Sequence, residues 1–96
     1  MIAVECSDYK VSITGHSGYA PYGYDIVCAG VSALFNGLAA SLDELTSVRF
    51  SCVVQSGNSS IEIKHPTEET KLLVSAFLLG IREIEEEYPE YLNIIN

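Results

Sequence analysis

Apolar and polar residues alternate along two short stretches at the start of the chain. Residues 2–6 and 9–13 each place an apolar side chain at every second position. A period of two puts successive side chains on opposite faces of an extended strand. The pattern therefore predicts two half-buried strands, joined by a tight turn at Ser7 and Asp8.

A loop and an apolar helix follow the second strand. Residues 15–24 contain three glycines and a proline, a composition typical of irregular structure. Asp25 then suits a helix N-cap, and residues 26–42 are apolar on nearly every face. We expect this helix to be buried on more than one side, by the sheet and, in an oligomer, by a partner subunit.

The second half of the chain repeats the order of strands and helix. Residues 48–55 and 61–65 predict a hairpin whose turn is the polar cluster 56–60. Pro66 ends the hairpin, and Pro89 ends the helix that follows. In the predicted strand over residues 48–55, one face is apolar and consists of Val48, Phe50, Cys52 and Val54.

The last helix begins near Thr67, with Glu69 and Thr70 in its first turn, and runs to Tyr88. The order of elements is thus ββαββα. This order predicts an α+β fold, a two-layer domain in which helices pack against one mixed or antiparallel sheet. A single domain should span residues 1–96, because so short a chain has no room for a second core.

Composition and charge exclude several classes of protein. A net charge of −8 opposes binding to a nucleic-acid backbone. There is no run of 18 uninterrupted apolar residues, so we expect no membrane span. No secretory signal is visible at the start, so we expect a cytoplasmic protein. The three cysteines have no CxxC spacing, and neither a disulfide framework nor a metal or other cofactor is expected.

One histidine and one cysteine stand at either end of the 15–24 loop. His16 directly follows the second strand, and Cys28 falls in the first turn of the first helix. The first N–H groups of a helix lack partners and carry partial positive charge, which favours a thiolate. Amides of that turn, including that of Cys28 itself, suit an oxyanion. The pattern fits a cysteine nucleophile with a histidine base.

The same residues also fit purely structural roles. An unpaired cysteine is most often a small buried hydrophobe, and Cys28 in an apolar helix is compatible with that role. Burial is the interpretation favoured for Cys6 and Cys52, which lie on the apolar faces of predicted strands. His16 suits the capping of a turn as well as it suits a base, and His65 is interpreted as a strand end.

Neighbouring residues are equally open to two interpretations. Asp25 fits the helix cap, which we favour, or a carboxylate that orients His16. Ser32 lies one helical turn after Cys28 and could hydrogen-bond within the site or to the Cys28 carbonyl. The loop tyrosines either form a lid over an extended peptide or pack the loop against the domain. The predicted substrate-binding loop comprises Ser17, Gly18, Tyr19, Tyr22, Gly23 and Tyr24.

These motifs together resemble the ribosomal-processing cysteine proteases of Firmicutes and their relatives. The resemblance lies in "GH" at residues 15–16, followed by "GYDIVCAGVSAL" at residues 23–34. It includes the "MI.V" opening and the "IEEEY" segment at residues 84–88, and therefore extends over nearly the whole chain.

The resemblance implies a catalytic dyad in which His16 is the general base and Cys28 the nucleophile. It also implies that Gly15, Asp25 and Ser32 support the site. Enzymes of this family are homodimers that remove a short N-terminal extension from the large-subunit ribosomal protein twenty-seven. They cut after an aromatic residue of an extended peptide, and the loop between histidine and cysteine covers the substrate. The N-terminal peptide of a ribosomal protein is therefore the expected substrate.

Two features depart from the family pattern without touching its catalytic pair. Ser17 stands where alanine is commoner after the histidine, and the first hairpin is tighter than in many relatives. Two other functions remain open: a non-catalytic module that binds a ribosomal protein or the assembling ribosome, and a redox switch linking Cys28 to Cys6 or Cys52. A thiol that reacts below about pH 8 would distinguish a catalyst from a binding module.

Overall fold

The chain forms the predicted strands and helices in the predicted order, with one further strand at its end. In the computed structural model, which describes residues 1–95, the strands are β1 (Ile2–Cys6), β2 (Lys10–Thr14), β3 (Arg49–Gln55), β4 (Asn58–Lys64) and β5 (Leu92–Ile95). The helices are α1 (Ile26–Leu45) and α2 (Glu68–Glu87). The predicted domain ran to residue 96, which lies outside the described residues.

The strands form one mixed sheet in the order β3-β4-β2-β1-β5. β1 and β2 are antiparallel, β4 pairs antiparallel with both β2 and β3, and β5 is parallel to β1. The register places Val11 opposite Cys6 on one side and opposite Ile61 on the other. This alternation gathers the apolar side chains of the strands on one face, as the α+β prediction required.

Both helices cover that apolar face with a single buried stripe each. The stripe of α1 consists of Val27, Val31, Phe35, Leu38 and Leu42. The apolar stripe of α2 consists of Val74, Phe77 and Ile81. Burial of these side chains against Val4, Val11 and Ile61 removes apolar surface from water and is the main force that holds the layers together.

Side-chain caps decide where the helices begin and end. The Asp25 carboxylate accepts the Cys28 N–H at 2.9 Å, which confirms the predicted start of α1. At the other end, the Thr46 hydroxyl donates to the Leu42 carbonyl at 2.6 Å. α1 ends at Leu45, three residues later than the predicted end at residue 42. The predicted cap of α2 is confirmed by Thr67, which forms a capping box with Thr70.

β5 was not predicted from the sequence. Its four residues are too few to show a clear alternation, and the strand exists because β1 offers it a parallel partner. The Ile2 N–H donates to the Tyr91 carbonyl at 2.9 Å, and the Glu85 carboxylate accepts the Ile94 N–H at 2.7 Å. A strand that depends on such distant partners leaves little local signal.

The prediction of a five-residue turn in the second hairpin was wrong. The turn consists of Ser56 and Gly57 alone, and residues 58–60 already belong to β4. Gly57 has a φ of 72°, a backbone conformation that permits so tight a connection. The polar residues 58–60 pair with strands on both sides, although their composition is typical of a turn.

One expectation about burial was also wrong, and a second is met only in part within the single chain. Cys52 is exposed, because β3 lies at the edge of the sheet and nearly all of its residues are exposed. Val54 on the same face is 66% exposed for the same reason. Within the single chain α1 is buried along one stripe, and Ile26 at its start is 53% exposed; the expected burial by a partner subunit stays a prediction. The remaining apolar surface of α1 faces outward in the single chain.

Candidate active site

A cavity of about 380 Å³ lies between the first half of α1, the end of β2 and the β3–β4 turn. Both Cys28 and His16 line it. Much of its wall is apolar, and the residues that provide this part of the wall are Ile2, Ile13, Val31, Phe35 and Val54. The predicted catalytic pair therefore shares one open cavity that has room for an apolar side chain of a ligand.

The thiol owes its position to the helix start. Cys28 is the third residue of α1 and is half-buried, so its sulfur lies where the unpartnered N–H groups concentrate positive potential. The cap at Asp25 sets this register, because it fixes which residue becomes the third in the helix. The location matches the one predicted for a nucleophilic cysteine.

The imidazole lies against the β3–β4 turn, which sequence reasoning did not connect with the site. A methyl group on Gly57 would lie 2.9 Å from His16 Nε2, so only glycine leaves room for the ring in this position. The Gly15 N–H donates to the Gly57 carbonyl at 2.9 Å and ties the two segments together. Gly15 itself has a φ of 87°, and a Cβ there would collide with the Met1 carbonyl oxygen. Gly15 and Gly57 thus place the histidine together.

Ser17 lies inside the protein and not on the surface of the loop. Its side chain is 4% exposed, and its hydroxyl donates to Asp25 Oδ2. The Tyr19 N–H donates to Ser17 Oγ at 3.2 Å. Cys28 Sγ forms a hydrogen bond with the same oxygen at 3.5 Å. Among the described residues, the side-chain hydrogen bond of the thiol is therefore with Ser17 and not with His16.

Asp25 acts as the cap and contacts Ser17, and no hydrogen bond of its carboxylate reaches His16 within residues 1–95. Burial opposes its ionisation, but hydrogen bonds from the Cys28 N–H, the Ser17 hydroxyl and the Ala20 N–H outweigh it. The pKa of Asp25 is consequently held below its ordinary value. Of the two roles considered for Asp25, the geometry supports the cap.

The amide of Cys28 is not free to hold an oxyanion in this arrangement. Its N–H is bound to Asp25 Oδ1, and the Ala29 N–H is bound to the Asp25 carbonyl at 3.0 Å. The first two N–H groups of α1, those of Ile26 and Val27, have no intrahelical acceptor. Of the helix-start amides expected to suit an oxyanion, that of Cys28 is therefore occupied, whereas those of Ile26 and Val27 are left without an intrahelical acceptor.

The loop tyrosines divide between the two roles considered for them. Tyr19 packs edge-on against Tyr88 and Tyr91, with ring centroids 5.4 and 5.2 Å apart, and so anchors the loop to the end of α2. Tyr22 also lines the cavity and is fully exposed. Tyr24 is 78% exposed. Tyr22 is thus the loop side chain placed to cover a ligand.

The remaining predicted site residues have simpler surroundings. Gly18 and Gly23 have φ values of 72° and 90°, so the loop depends on glycine at both positions. Ser32 is exposed and lines the cavity one turn beyond Cys28. Neither of the hydrogen bonds expected of its hydroxyl is formed within the described residues. Ser32 is therefore available to a ligand.

Cys6 and Cys52 differ enough in burial to be separated by alkylation. Burial raises the pKa of the Cys6 thiol to about 11. A raised pKa keeps the unreactive thiol form, so only about 0.1% of Cys6 is thiolate at pH 8. We expect iodoacetamide at pH 8 to modify exposed Cys52 in the native protein and to leave Cys6 intact, as measured by mass spectrometry of the cysteine peptides.

In urea, both thiols should react at similar rates, which controls for intrinsic reactivity. Cys6 was expected to be buried and is half-buried, and comparable rates for Cys6 and Cys52 in the folded protein would contradict this protection. The same burial makes Cys6 a poor partner for Cys28 in a redox switch, because disulfide exchange requires a thiolate.

Comparison with known proteins connects this geometry with one family. The family model of the cysteine protease Prp matches residues 1–93. The ribosomal processing cysteine protease Prp of Staphylococcus aureus (strain Mu50) is 32% identical over 87 residues, which cover 88% of this chain and 82% of that protein. The protein of the same name from Mycoplasma pneumoniae is 28% identical over 93 residues, which cover 97% of this chain and 92% of that protein.

Solved structures agree with the sequence comparison. The ribosomal processing protease Prp from S. aureus, in complex with a covalently linked product peptide, superposes with a TM-score of 0.90 at 32% identity. That match covers 98% of this chain and 97% of the other. The S. aureus protease in complex with a substrate peptide gives a TM-score of 0.82 at 29% identity, over 98% and 95% of the two chains. By sequence and by fold, this chain belongs to the family of the cysteine protease Prp.

Proposed function

We propose that this protease removes the N-terminal extension of a ribosomal protein, the large-subunit protein twenty-seven, and that Cys28 and His16 form its catalytic dyad. The observation that carries the proposal is the shared cavity: a thiol in the first turn of α1 and an imidazole from the end of β2 both line it. The relatives named above are ribosomal processing cysteine proteases, and a substrate or product peptide is bound in two S. aureus structures.

The first half of the reaction forms a thioester. His16 takes the proton of the Cys28 thiol, and Sγ attacks the carbonyl carbon of the scissile peptide bond. The resulting oxyanion faces the start of α1, where the N–H groups of Ile26 and Val27 lack intrahelical acceptors. The C–N bond then breaks as the imidazolium returns its proton to the leaving amine.

The second half of the reaction releases the N-terminal fragment. Water, deprotonated by His16, attacks the thioester, and the C–S bond breaks to restore the thiol and a free carboxylate. No redox step occurs, so the cycle needs no external electron donor. The reaction requires Sγ to leave Ser17 and approach the imidazole, because its hydrogen bond in the free enzyme is with Ser17.

The cavity wall and the loop support an extended peptide with a bulky apolar residue at the cut. Val31, Phe35 and Val54 provide apolar contacts beside Cys28. Tyr22 stands fully exposed at the same cavity, on a loop with glycines on both sides of it. Closure of Tyr22 over the peptide would exclude water from the thioester until the amine has left.

The direct test is incubation of the enzyme with a synthetic peptide that carries the extension and the first residues of the mature ribosomal protein. We expect two fragments whose masses place the cut after an aromatic residue, and loss of cleavage after alkylation of Cys28. A scrambled peptide of the same composition serves as the control. An intact extension peptide after prolonged incubation would refute the assignment of substrate, and a cut unaffected by alkylation would refute the assignment of nucleophile.

We further propose that the enzyme is a homodimer. α1 buries only one stripe, and the outer surface formed by the two helices is apolar; the exposed residues are Ala29, Ala33, Gly37, Ala40, Leu72 and Leu79. A second copy would cover this surface. Sedimentation at micromolar concentration is expected to give a dimer, and Leu79→Glu to weaken it. A monomer at that concentration would overturn the proposal.

The free cysteines and the net charge support a proposal for the compartment and for the partner of the enzyme. The three cysteines are free, and free thiols persist in the reducing cytoplasm, where we place the protein. With a net charge of −8, its expected partner is a protein segment rather than nucleic acid.

A further inference from the structure

Ser17 takes no part in the bond-making steps of the proposed proteolysis, although it is buried beside the Cys28 thiol. Ser17 is 4% exposed, and the other buried polar residue among the described ones, Thr70, is accounted for by the capping box of α2. A buried hydroxyl needs partners, and those of Ser17 are Asp25 and Cys28 together with the Tyr19 N–H.

The direction of each hydrogen bond at Ser17 follows from the chemistry of its partners. Asp25, whose pKa lies below its ordinary value, is a carboxylate near neutral pH and can only accept. The single hydroxyl proton of Ser17 is therefore given to Asp25 Oδ2. The Tyr19 N–H occupies one lone pair of Ser17 Oγ, and the second lone pair faces Cys28 Sγ at 3.5 Å. The thiol is the donor in that contact.

We infer that Ser17 is a positioning residue that holds the Cys28 thiol protonated and away from His16 in the free enzyme. A lone pair that accepts an S–H proton stabilises the thiol and repels a thiolate. The hydroxyl cannot turn its own proton toward sulfur without giving up Asp25. The inference rests on the proposed role of Cys28 as nucleophile, and it adds a resting state in which that nucleophile is not ionised.

Few other titratable groups lie around the sulfur, and the sign of each charge decides whether it favours or opposes ionisation of the Cys28 thiol. His16 and Tyr22 line the cavity with Cys28, and Asp25 lies at the cap beneath it. The α1 N-terminus and a protonated His16 favour a thiolate, whereas Asp25 and the lone pair of Ser17 oppose it. Removing the hydroxyl of Ser17 therefore shifts the balance toward the thiolate.

The pH profile of alkylation tests this inference. Site-resolved iodoacetamide rates for Cys28 are measured from pH 5 to 10, in a Cys52→Ser background so that the exposed thiol does not consume reagent. We expect Ser17→Ala to lower the midpoint of the Cys28 profile by about one pH unit, which is about tenfold more thiolate at pH 7. Ser17→Thr keeps the hydroxyl and should retain the wild-type midpoint.

A second variant reverses the polarity of the network and leaves the cap in place. In Asp25→Asn, the amide oxygen can still accept the Cys28 N–H, and asparagine caps helices as well as aspartate does. The amide nitrogen, however, donates to Ser17 Oγ, so the serine proton becomes free to donate to sulfur. We expect Asp25→Asn to lower the midpoint, and to lower it more when Ser17 is present than in the Ser17→Ala background.

Equal shifts in the two backgrounds would overturn the inference, because loss of the aspartate charge alone acts without Ser17. An unchanged or raised midpoint in Ser17→Ala would overturn it as well. Should Ser17→Ala fail to fold, an unchanged midpoint in Asp25→Asn alone is sufficient to reject the inference. None of these measurements needs a peptide substrate. Failure of the proposed proteolysis and failure of the Ser17 inference are therefore seen in separate experiments.

Discussion

Replacing Cys28 by alanine is expected to abolish cleavage of the extension peptide, with a loss in kcat of at least about a thousandfold. Among the described residues that line the cavity, Ser32 has the other hydroxyl closest along the helix to Cys28, and it forms no hydrogen bond to a base. We therefore expect no other group to replace the thiolate. Cys28 is half-buried, and alanine fits the helix at this position, so the fold should persist. The measurement is the rate of fragment formation by mass spectrometry, with unfolding in urea as the check on stability.

The matched control for this prediction is Cys52→Ala, which removes an exposed thiol on β3 and should leave the rate unchanged. His16→Ala should be nearly as inactive as Cys28→Ala, and the double variant no worse than either single one, because base and nucleophile act as a unit. Losses that multiply in the double variant would show that the two residues act independently. Full activity of Cys28→Ala would end the proposed mechanism.

The placement of Cys28 and His16 at one cavity was predictable because local signals determine it. Aspartate is a preferred helix N-cap, so the cap at Asp25 can be predicted from residue type. This cap places Cys28 in the first turn of α1. Alternation in β2 places His16 just beyond the strand end. Once a strand end and a helix start are joined by one short loop, the fold brings them to the same side of the sheet. Both residues line one cavity as a result.

Other features depend on contacts that local sequence does not encode. The alternation of apolar residues along β3 predicts that Cys52 faces the core. Cys52 is nevertheless exposed, because β3 lies at the edge of the sheet. Ser17 belongs to a loop by composition, and its burial and its hydrogen bond to Asp25 at the start of α1 arise only in the folded chain. β5 exists through its pairing with β1. In each case a distant partner decides what the residue does.

Gly57 is the clearest such case, and it gives the second large expected effect. It reads as an ordinary turn glycine, but it leaves the space in which the His16 ring lies, 2.9 Å from where a Cβ would be. In Gly57→Ala the ring must move, and a displacement of about 1 Å at a catalytic group can cost about a hundredfold in rate. We expect kcat/KM to fall about tenfold to a hundredfold, measured on the extension peptide.

Backbone strain must be separated from displacement of the imidazole, and Gly18→Ala allows this. Gly18 shares the φ of 72° with Gly57, but a Cβ there meets no atom within 4 Å. Both variants should lose about 1–2 kcal/mol of unfolding free energy in urea because a side chain is disfavoured at positive φ. Only Gly57→Ala should also shift the imidazole NMR signals of His16. Unchanged signals together with wild-type kcat/KM in Gly57→Ala would mean that the β3–β4 turn does not position the base.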